Sequence, residues 1–401
     1  MVKLAKMETY LNFIAVQIDP IGAMIMKRIK ERIAGCTEPP LISTSTLKRS
    51  RIFEKKSFGQ LLSSSGMLQR EVWQKGACSS CMACLSICPA GCLAFDCEEN
   101  GLYQVASCMD CGACLDVCPR IPANNNKIYS SPILGPYSAI KNARLKKNSK
   151  RCQERGAVTA LLTAALDEEL VDCALVMDHD HWSQKAYPRA VYDARELESC
   201  AGGKYTSNAI LEPLGDLAKS AKNIAIVGTA CSVDAIGLMR MSSNEFAQKI
   251  ARKIRFALGL FCFEAYNESL IKALTEISGV STWRFDGMDN SEAKMTIGLR
   301  GDGSKTIPLH RLAEHIKTGC KACADFTAKL SDISVGNIGG APGMNSVIIR
   351  TAEGAGLFNI AEEMGLLEVS DGVDLQAIEK AGRLKLTKNG TIRSSFFARS
   401  R

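Results

Sequence analysis

The feature that most constrains this chain is a doubled cysteine run between Cys78 and Pro119. The first half reads CSSCMACLSICP from Cys78, and the second half reads CMDCGACLDVCP from Cys108. Both halves have the spacing Cys-x2-Cys-x2-Cys-x3-Cys-Pro, and 19 residues lie between Cys88 and Cys108. This spacing binds a pair of [4Fe–4S] clusters, with the fourth cysteine of each run ligating the cluster of the other run. The segment must therefore fold back on itself so that the two runs share ligands.

The doubled run predicts two ligand sets within a small α+β domain of the bacterial 2[4Fe–4S] ferredoxin type, over residues 71–125. The first set is Cys78, Cys81, Cys84 and Cys118, and the second set is Cys108, Cys111, Cys114 and Cys88. A disulfide scaffold or two zinc sites would not explain Pro89 and Pro119, which end the short helix after each fourth ligand. Cys92 and Cys97 lie outside the pattern, and we expect them to be packed thiols.

The composition narrows the cellular setting. With 401 residues, the chain is long enough for two or three domains. Its 18 cysteines, without a secretory leader, predict a reducing cytoplasm where cysteines bind metals. No stretch of about 20 unbroken apolar residues is present, so no membrane-spanning helix is expected. The basic segments lack interleaved aromatic residues, which argues against a nucleic-acid surface.

Residues 1–70 are interpreted as a basic, partly helical extension. The formal net charge of the chain is +8, and residues 1–77 hold 13 Lys+Arg against 6 Asp+Glu, which is +7 of it. Isoleucines recur at helical spacing over residues 19–35, with Lys and Arg on the other side. Such a helix can bind peripherally to the cytoplasmic face of a membrane or dock on a partner. The alternative is that its apolar side packs on the rest of the protein.

Beyond the cysteine run the pattern changes. Residues 120–150, rich in Pro and Asn, are interpreted as a linker. After them, a helix over Ala157–Leu170 and apolar strands separated by helical segments predict an α/β layered domain over residues 137–390. The predicted strands are Cys173–Met177, Asn223–Val227, Phe256–Phe263 and Ser346–Arg350. The basic and polar segment Leu384–Arg401 is interpreted as a peripheral tail.

Cys231 and Cys262 follow two of these strands, at the edge where α/β sheets bind ligands. A further pair, Cys320-x2-Cys323, could bind zinc, act as a redox dithiol or supply half of a cluster site. Together the four thiols would suit a third [4Fe–4S] cluster. No site role is assigned to the remaining cysteines or to the histidines, which are interpreted as surface or packing residues. These are Cys36, Cys152, Cys173, Cys200, His179, His181, His310 and His315.

Five motifs in order carry a family resemblance. They are GAVTALL at 156–162, AGGKY at 201–205, VGTAC at 227–231, LFC at 260–262 and CKACADFTAKLSDISVG at 320–336. This series resembles the family formed by the beta subunits of coenzyme F420-reducing hydrogenases and F420H2 dehydrogenases. With the doubled cysteine run ahead of it, the chain resembles the electron-input subunit type of the archaeal, methanogenic F420H2 dehydrogenases.

The resemblance implies that the second domain binds FAD, takes coenzyme F420 as substrate and holds a third [4Fe–4S] cluster on Cys231, Cys262, Cys320 and Cys323. Residues implied to contact the flavin are Arg155, Gly156, Ala157, Val158, Thr159, Lys204, Tyr205, Gly228, Thr229, Asp325, Phe326 and Asn337. The helix start at Gly156 would present backbone N–H groups to the flavin diphosphate. Arg155 stands where the family usually has glycine; its side chain could reach a phosphate, or the turn could differ from that of the family.

The implied activity is oxidation of reduced coenzyme F420. The deazaflavin gives up a hydride, clusters accept one electron at a time, and a flavin can exchange electrons in both ways. The expected acceptor is a membrane-bound dehydrogenase complex or a ferredoxin. Two alternatives stay open. One is a flavin and iron–sulfur reductase of the same family acting on another substrate, sulfite-linked or chlorophyllide-type. The other is a non-enzymatic polyferredoxin.

Overall fold

The computed structural model describes most of the chain after residue 62. The described residues are 63–96, 101–129, 131–146, 156–206, 209–291, 293–301 and 303–398. The predicted basic extension up to residue 62, including its helix over 19–35, lies outside this part, as do Cys97 and Arg155. No helix within these ranges is both long enough and apolar enough to cross a lipid bilayer.

Short helices prevail in the first part of the described chain, and strands alternate with longer helices after it. The helices are α1 (Ser64–Leu68, continued by a π-helix Gln69–Trp73), α2 (Ala83–Ser86), α3 (Ala113–Val117), α4 (Asn125–Tyr129), α5 (Ala157–Asp167), α6 (Leu214–Ser220), α7 (Ala230–Met241), α8 (Glu245–Ala251), α9 (Ser269–Ser278), α10 (Ala352–Glu363) and α11 (Leu375–Ala398). The strands are β1 (Leu93–Asp96), β2 (Gly101–Gln104), β3 (Ala139–Leu145), β4 (Cys173–His179), β5 (Ala186–Val191), β6 (Ile224–Thr229), β7 (Ile254–Leu260), β8 (Phe285–Ser291), β9 (Lys294–Leu299), β10 (Ser304–Pro308), β11 (Ile333–Gly336), β12 (Asn345–Ile349) and β13 (Leu367–Ser370).

Residues 63–129 form a cysteine module. Its helices α2 and α3 each begin inside one cysteine run and pack on each other, and α1 packs on α3. The strands β1 and β2 pair antiparallel, with Leu93 opposite Gln104. The module therefore combines short helices with a two-stranded sheet.

An eight-stranded sheet, in the order β13-β3-β12-β11-β7-β6-β4-β5, forms the centre of the described structure. The neighbours β4, β6, β7 and β11 are parallel, and antiparallel strands flank them on both sides. The carboxyl ends of the four parallel strands meet at one edge of the sheet. In α/β sheets this edge is where ligands bind. A separate three-stranded antiparallel sheet, β10-β9-β8, packs with α9 around its own apolar core.

Strand side chains alternate between two apolar cores on opposite faces of the sheet. In β4, Ala174 and Val176 belong to one core, whereas Cys173 and Leu175 belong to the other. This alternation follows from the two-residue period of a strand. Helices α5 and α10 cover the first face, and α6, α7 and α8 cover the second.

The cysteine module shares the second of these cores. Ile87 follows α2, and Val117 is the last residue of α3. Both side chains are buried among side chains of β4, β6 and α7. Helix α3 also contacts α7 and α8 directly. The module is thus fixed against the sheet by an apolar contact.

Two interpretations from the sequence were wrong in part. Residues 139–145, assigned to a linker, form β3 inside the large sheet, and residues 125–129 form α4. The segment from Leu384, assigned to a peripheral tail, continues α11, whose side chains Lys385 and Asn389 are buried. The linker was predicted from a high density of Pro and Asn residues, and that density is confined to the residues before β3. The tail was predicted from polar composition, but the polar side chains of Lys385 and Asn389 are buried against polar backbone groups.

The four predicted strands are present with shifted ends, as β4, β6, β7 and β12. The predicted strand that reached Phe263 ends at Leu260, so that Cys262 lies just beyond it. The predicted helix Ala157–Leu170 ends at Asp167 as α5, because Glu169 has a positive φ of 52°. Strand and helix ends are where sequence patterns carry the least information.

Candidate functional site

The two cysteine runs fold into equivalent loops. Ser80 and Asp110, each two residues after the first cysteine of its run, both have a φ of +57°. In both loops the N–H of this residue donates to the sulfur of that first cysteine, 3.4 Å away. Met82 and Gly112, two residues further on, also have positive φ and precede α2 and α3. The repeated sequence therefore gives a repeated backbone.

The first predicted ligand set lines one pocket. Its members are Cys78, Cys81, Cys84 and Cys118. The pocket lies beside α1 and α2. Burial, together with the charges of nearby Cys78 and Cys118 thiolates, raises the pKa of Cys84 well above its ordinary value. Four thiols around a common space form the soft donor set that an iron–sulfur cluster requires.

The second predicted set is closer to the surface. Cys88, Cys108 and Cys111 are partly exposed, and Cys114 is buried. Burial and the charges of Cys108 and Cys111 raise the pKa of Cys114. Cys92, expected as a packed thiol, is buried with its sulfur 3.4 Å from the sulfur of Cys88. Cys92 is therefore in direct contact with a predicted ligand.

The third predicted set comes from three elements that meet at the sheet edge. Cys231 lies in the first turn of α7 directly after β6, and Cys262 follows the end of β7. Cys320 lies in a 3-10 helix, Thr318–Ala322, and Cys323 is the residue that directly follows this helix. Burial raises the pKa of Cys262, and the nearby thiolates of the other three cysteines raise it further.

The three sets are neighbours in space. Burial raises the pKa of Cys81, and the charge of a Cys231 thiolate raises it further, so the first set adjoins the third. In the same way, the charge of a Cys114 thiolate contributes to the raised pKa of Cys84, so the first set adjoins the second. The first set therefore adjoins both of the other sets.

Within the described ranges, no three or more His, Cys, Asp or Glu side chains converge closely enough to hold one metal ion. A [4Fe–4S] cluster spreads its thiolates farther apart, because each binds a different iron atom of the cube. The Nε of buried Arg120 has no hydrogen-bond partner in the described structure. The Arg120 guanidinium interacts electrostatically with Cys323. An unused donor on a buried cation at this junction fits an anionic group that the chain is built to hold.

Three buried cations surround the junction of the first and third sets. Arg120, Lys317 and Lys385 are 1%, 5% and 2% exposed. Burial lowers the pKa of Lys317, although thiolates of Cys320 and Cys231 act in the opposite direction. Buried charges in proteins are paired with opposite charge. A cluster with four thiolates is anionic, so this concentration of cations fits clusters at both sets.

Helix α11 anchors the loop of the third set. Asp374 caps the helix by accepting the N–H of Ala377 at 3.0 Å. The ammonium of Lys385 donates to the carbonyl oxygens of Cys262 and Asp325, each at 2.6 Å. One turn later, the side-chain amide of Asn389 donates to the carbonyl oxygens of two further ligands. These are Cys320 at 3.1 Å and Cys323 at 2.7 Å.

A second pocket of about 310 Å³ opens beyond the carboxyl end of β4, next to the turn that contains Lys204. Burial lowers the pKa of Lys204 to about 8, and its ammonium donates to the carbonyl oxygens of Cys200 and Ala201. Gln184, 1% exposed, leaves its Oε1 without a hydrogen-bond partner, as does the Nδ1 of His179. The pocket therefore presents one cation and two unused polar atoms.

His179 is a residue that the sequence did not identify as functional. Burial, with the charge of Lys204, lowers its pKa to about 4, so the imidazole is neutral at pH 7. Its position at the last residue of β4 was the available signal, because the carboxyl ends of parallel strands meet at the ligand-binding edge.

The predicted phosphate-binding helix start lies at the first turn of α5, over Gly156–Thr159. The N–H of Ala157 donates to the side-chain oxygen of Asn345, 3.2 Å away. The side-chain amide of Asn345 in turn donates to Asn337, 2.8 Å away. The predicted residues 156–159 and Asn337, far apart in sequence, are thus joined by one amide network.

The remaining predicted flavin contacts lie along the same sheet edge. Gly228 and Thr229 end β6, and the Thr229 hydroxyl is 3.3 Å from the sulfur of Cys231. Tyr205 follows the pocket residue Lys204 and interacts electrostatically with Cys262. These positions connect the pocket to the third cysteine set.

Asp325 and Phe326 are buried rather than open to a crevice. The Asp325 carboxylate accepts the backbone N–H groups of Thr327, at 3.0 Å, and Lys329, at 2.7 Å. The ring of Phe326 packs between Phe261 and Phe263, with centroid distances of 5.2 and 4.7 Å. In this structure both side chains stabilise the loop that follows Cys323.

Two descriptions of one protein family match this chain. The family description "Coenzyme F420 hydrogenase/dehydrogenase, beta subunit N-term" matches residues 140–214, and the corresponding C-terminus description matches residues 221–374. An uncharacterized protein of Methanocaldococcus jannaschii is 33% identical over 356 residues, which cover 81% of this chain and 98% of the relative. The chain belongs to the family of coenzyme F420 hydrogenase/dehydrogenase beta subunits.

Other members of this family have assigned names. A protein named as a subunit of the F420H2 dehydrogenase of Methanosarcina mazei is 27% identical over 309 residues, covering 74% of this chain and 86% of that protein. Coenzyme F420-dependent sulfite reductase of Methanocaldococcus jannaschii is 28% identical, and the match covers 79% of this chain but 50% of the reductase. A chain in a structure of the F420-reducing [NiFe] hydrogenase complex from Methanosarcina barkeri has the same fold. Its TM-score is 0.61 at 24% identity, with 65% of this chain and 93% of that chain covered.

Proposed function

We propose that this family member oxidises reduced coenzyme F420 by hydride transfer to FAD and delivers single electrons through [4Fe–4S] clusters to a separate acceptor. The observation that carries the proposal is the order of its parts. Lys204 lines the pocket, the next residue, Tyr205, interacts with the cysteine Cys262 of the third set, and the third set adjoins the first. Relatives named as dehydrogenase and hydrogenase subunits support the same substrate.

The two kinds of cofactor divide the redox chemistry. A bound flavin exchanges electrons in pairs and singly, and clusters carry single electrons. The chain supplies binding and electrostatics. The cation of Lys204 attracts an anionic group, and the free Oε1 of Gln184 accepts a hydrogen bond from a ligand. The neutral ring of His179 offers Nδ1 without adding charge to the pocket.

The acceptor side lies at the second cysteine set. Three of its four thiols are partly exposed, whereas three of the four in the first and in the third set are buried. Since single electrons leave where a cluster is nearest the surface, the partner docks beside Cys88, Cys108 and Cys111. A membrane-bound dehydrogenase complex or a ferredoxin is the proposed partner, and the basic residues before the module are proposed to assist docking.

The proposal is tested on anaerobically purified full-length protein. We expect one FAD and about twelve iron atoms per chain, four for each cluster. Reduced coenzyme F420 should bleach the flavin absorbance, and NADH should not. Bleaching by NADH alone would assign a different donor. A flavin-free protein with three clusters would instead show an electron carrier without its own substrate.

The pKa of Lys204 gives the pocket a pH dependence. Its positive charge is present below about pH 8 and is lost as the pH rises through that value. Coenzyme F420 has a polyanionic tail, so we expect KM for reduced coenzyme F420 to rise by up to about fivefold between pH 8 and pH 9. In Lys204→Arg, whose guanidinium stays charged, KM should remain nearly flat over this range. An equal rise in both proteins would exclude Lys204 as the anion contact.

A further inference from the structure

The described part of helix α11 lies beyond residues 221–374, the range of the family match, yet it contacts three ligands of the third cysteine set. Lys385 and Asn389 lie one turn apart on the same face and are 2% and 4% exposed. Their side chains fix the carbonyl groups of Cys262, Cys320 and Cys323. These contacts hold three of the four ligands from the outside of the loop.

The ammonium of Lys385 forms no ion pair within 4.0 Å among the described residues. Every ion pair found there involves other side chains, and both hydrogen bonds of the ammonium end on backbone carbonyl oxygens. The Asp325 carboxylate acts on Lys385 from a greater distance, and that carboxylate accepts two backbone N–H groups. A buried ammonium without a close counter-charge is destabilising. The anionic cluster expected on Cys262, Cys320 and Cys323 would supply that close charge, since their thiolates interact with Lys385.

We propose that Lys385 is a positioning residue that supplies the counter-charge of the third cluster and raises its reduction potential. This inference rests on the third cluster of the proposed function. Reduction adds one negative charge to the cluster, so a fixed cation beside it stabilises the reduced form more than the oxidised form. Asn389 holds Cys320 and Cys323 in place relative to the ammonium of Lys385. The helix thereby makes the third cluster a better acceptor of electrons that come from the neighbouring pocket.

The test compares Lys385→Met, which keeps length and apolar volume but removes the charge, with Lys385→Arg, which retains a cation. Lys380→Met is the matched control, because Lys380 is exposed on the same helix. All proteins are full length and purified anaerobically. Iron is counted, and each is titrated with dithionite while EPR follows the reduced clusters. This measurement needs neither coenzyme F420 nor turnover, so the proposed substrate can fail without affecting it.

In Lys385→Met we expect one cluster to become at least tenfold harder to reduce, which is about 59 mV for a one-electron couple. The other two clusters should keep their potentials, and Lys380→Met should match the native protein. Lys385→Arg should retain most of the native potential. Selective loss of about four iron atoms in Lys385→Met but not in Lys385→Arg would also support the proposal.

Three results would overturn it. The first is a Lys385→Met protein with full iron content and unchanged potentials. The second is an equal change in Lys385→Met and Lys385→Arg, since this would make the shape of the side chain, and not its charge, responsible. The third is a native protein that holds about eight iron atoms, because no third cluster would then be present.

Discussion

In the Cys231→Ala variant, about four iron atoms per chain are expected to be lost, and reduction of an added ferredoxin by reduced coenzyme F420 should fall more than about 100-fold. A hundredfold loss is the upper end of what removing an outer partner of a metal site costs, and Cys231 is expected to be a ligand itself. A Cys231 thiolate acts electrostatically on Cys81 of the first set and on Cys262 of its own set.

The matched control is Cys173→Ala. Cys173 is a fully buried thiol in β4 that takes part in apolar packing. Its removal should lower stability by about 1 kcal/mol through a small cavity and leave iron content and ferredoxin reduction unchanged. Bleaching of the flavin by reduced coenzyme F420 should persist in both variants. A Cys231→Ala protein with full iron and native electron delivery would disprove the third site.

In the Gly319→Ala variant, the cysteine module and the loop of the third set should be forced apart. A Cβ at Gly319 would lie 1.9 Å from the carbonyl oxygen of Cys78 and 2.9 Å from that of Ala77. Both neighbours are backbone atoms, so no side chain can rotate away, and overpacking of this kind costs about 1–3 kcal/mol. We expect a lower melting temperature and electron delivery to ferredoxin that is slowed at least about tenfold, because positional errors near 1 Å are costly in redox sites.

Gly356→Ala provides the control for this prediction. Gly356 is exposed within α10, and a Cβ there would meet no atom within 4 Å. Alanine is the better helix former, so the melting temperature should stay equal or rise, by about 0.5–1 kcal/mol of stability. Equal electron delivery in the Gly319→Ala and native proteins would show that the close backbone contact with Cys78 is unnecessary for transfer between the first and third sets.

The cysteine runs show how far a local pattern reaches. The spacing in Cys78–Pro119 predicted two loops that exchange their fourth ligands, and in the structure Cys118 joins the first pocket. Spacing alone left Cys320 and Cys323 ambiguous, because their companions Cys231 and Cys262 are remote in sequence. Strand ends suggested the grouping, since both companions follow strands that lie side by side in the sheet.

Polar residues buried by tertiary packing were harder to predict. Leu384–Arg401 has the composition of a surface tail, yet Lys385 and Asn389 donate to buried backbone carbonyl groups of other segments. His179 looked like a residue of a polar loop, and the end of β4 places it in a pocket. In both cases the residues that these side chains contact are distant in the chain, so no local sequence pattern predicts the contact.

The sequence by itself predicted the ligand sets of the doubled cysteine run and, through its five motifs, the fold family, because ligand spacing and motifs are local properties of the chain. Only the tertiary structure decided which cysteine sets are neighbours, the backbone contact at Gly319 and the cations that surround the junction. Electrostatic interactions depend on distance through space, and burial determines how strongly they act. Neither quantity is defined until distant segments have packed together.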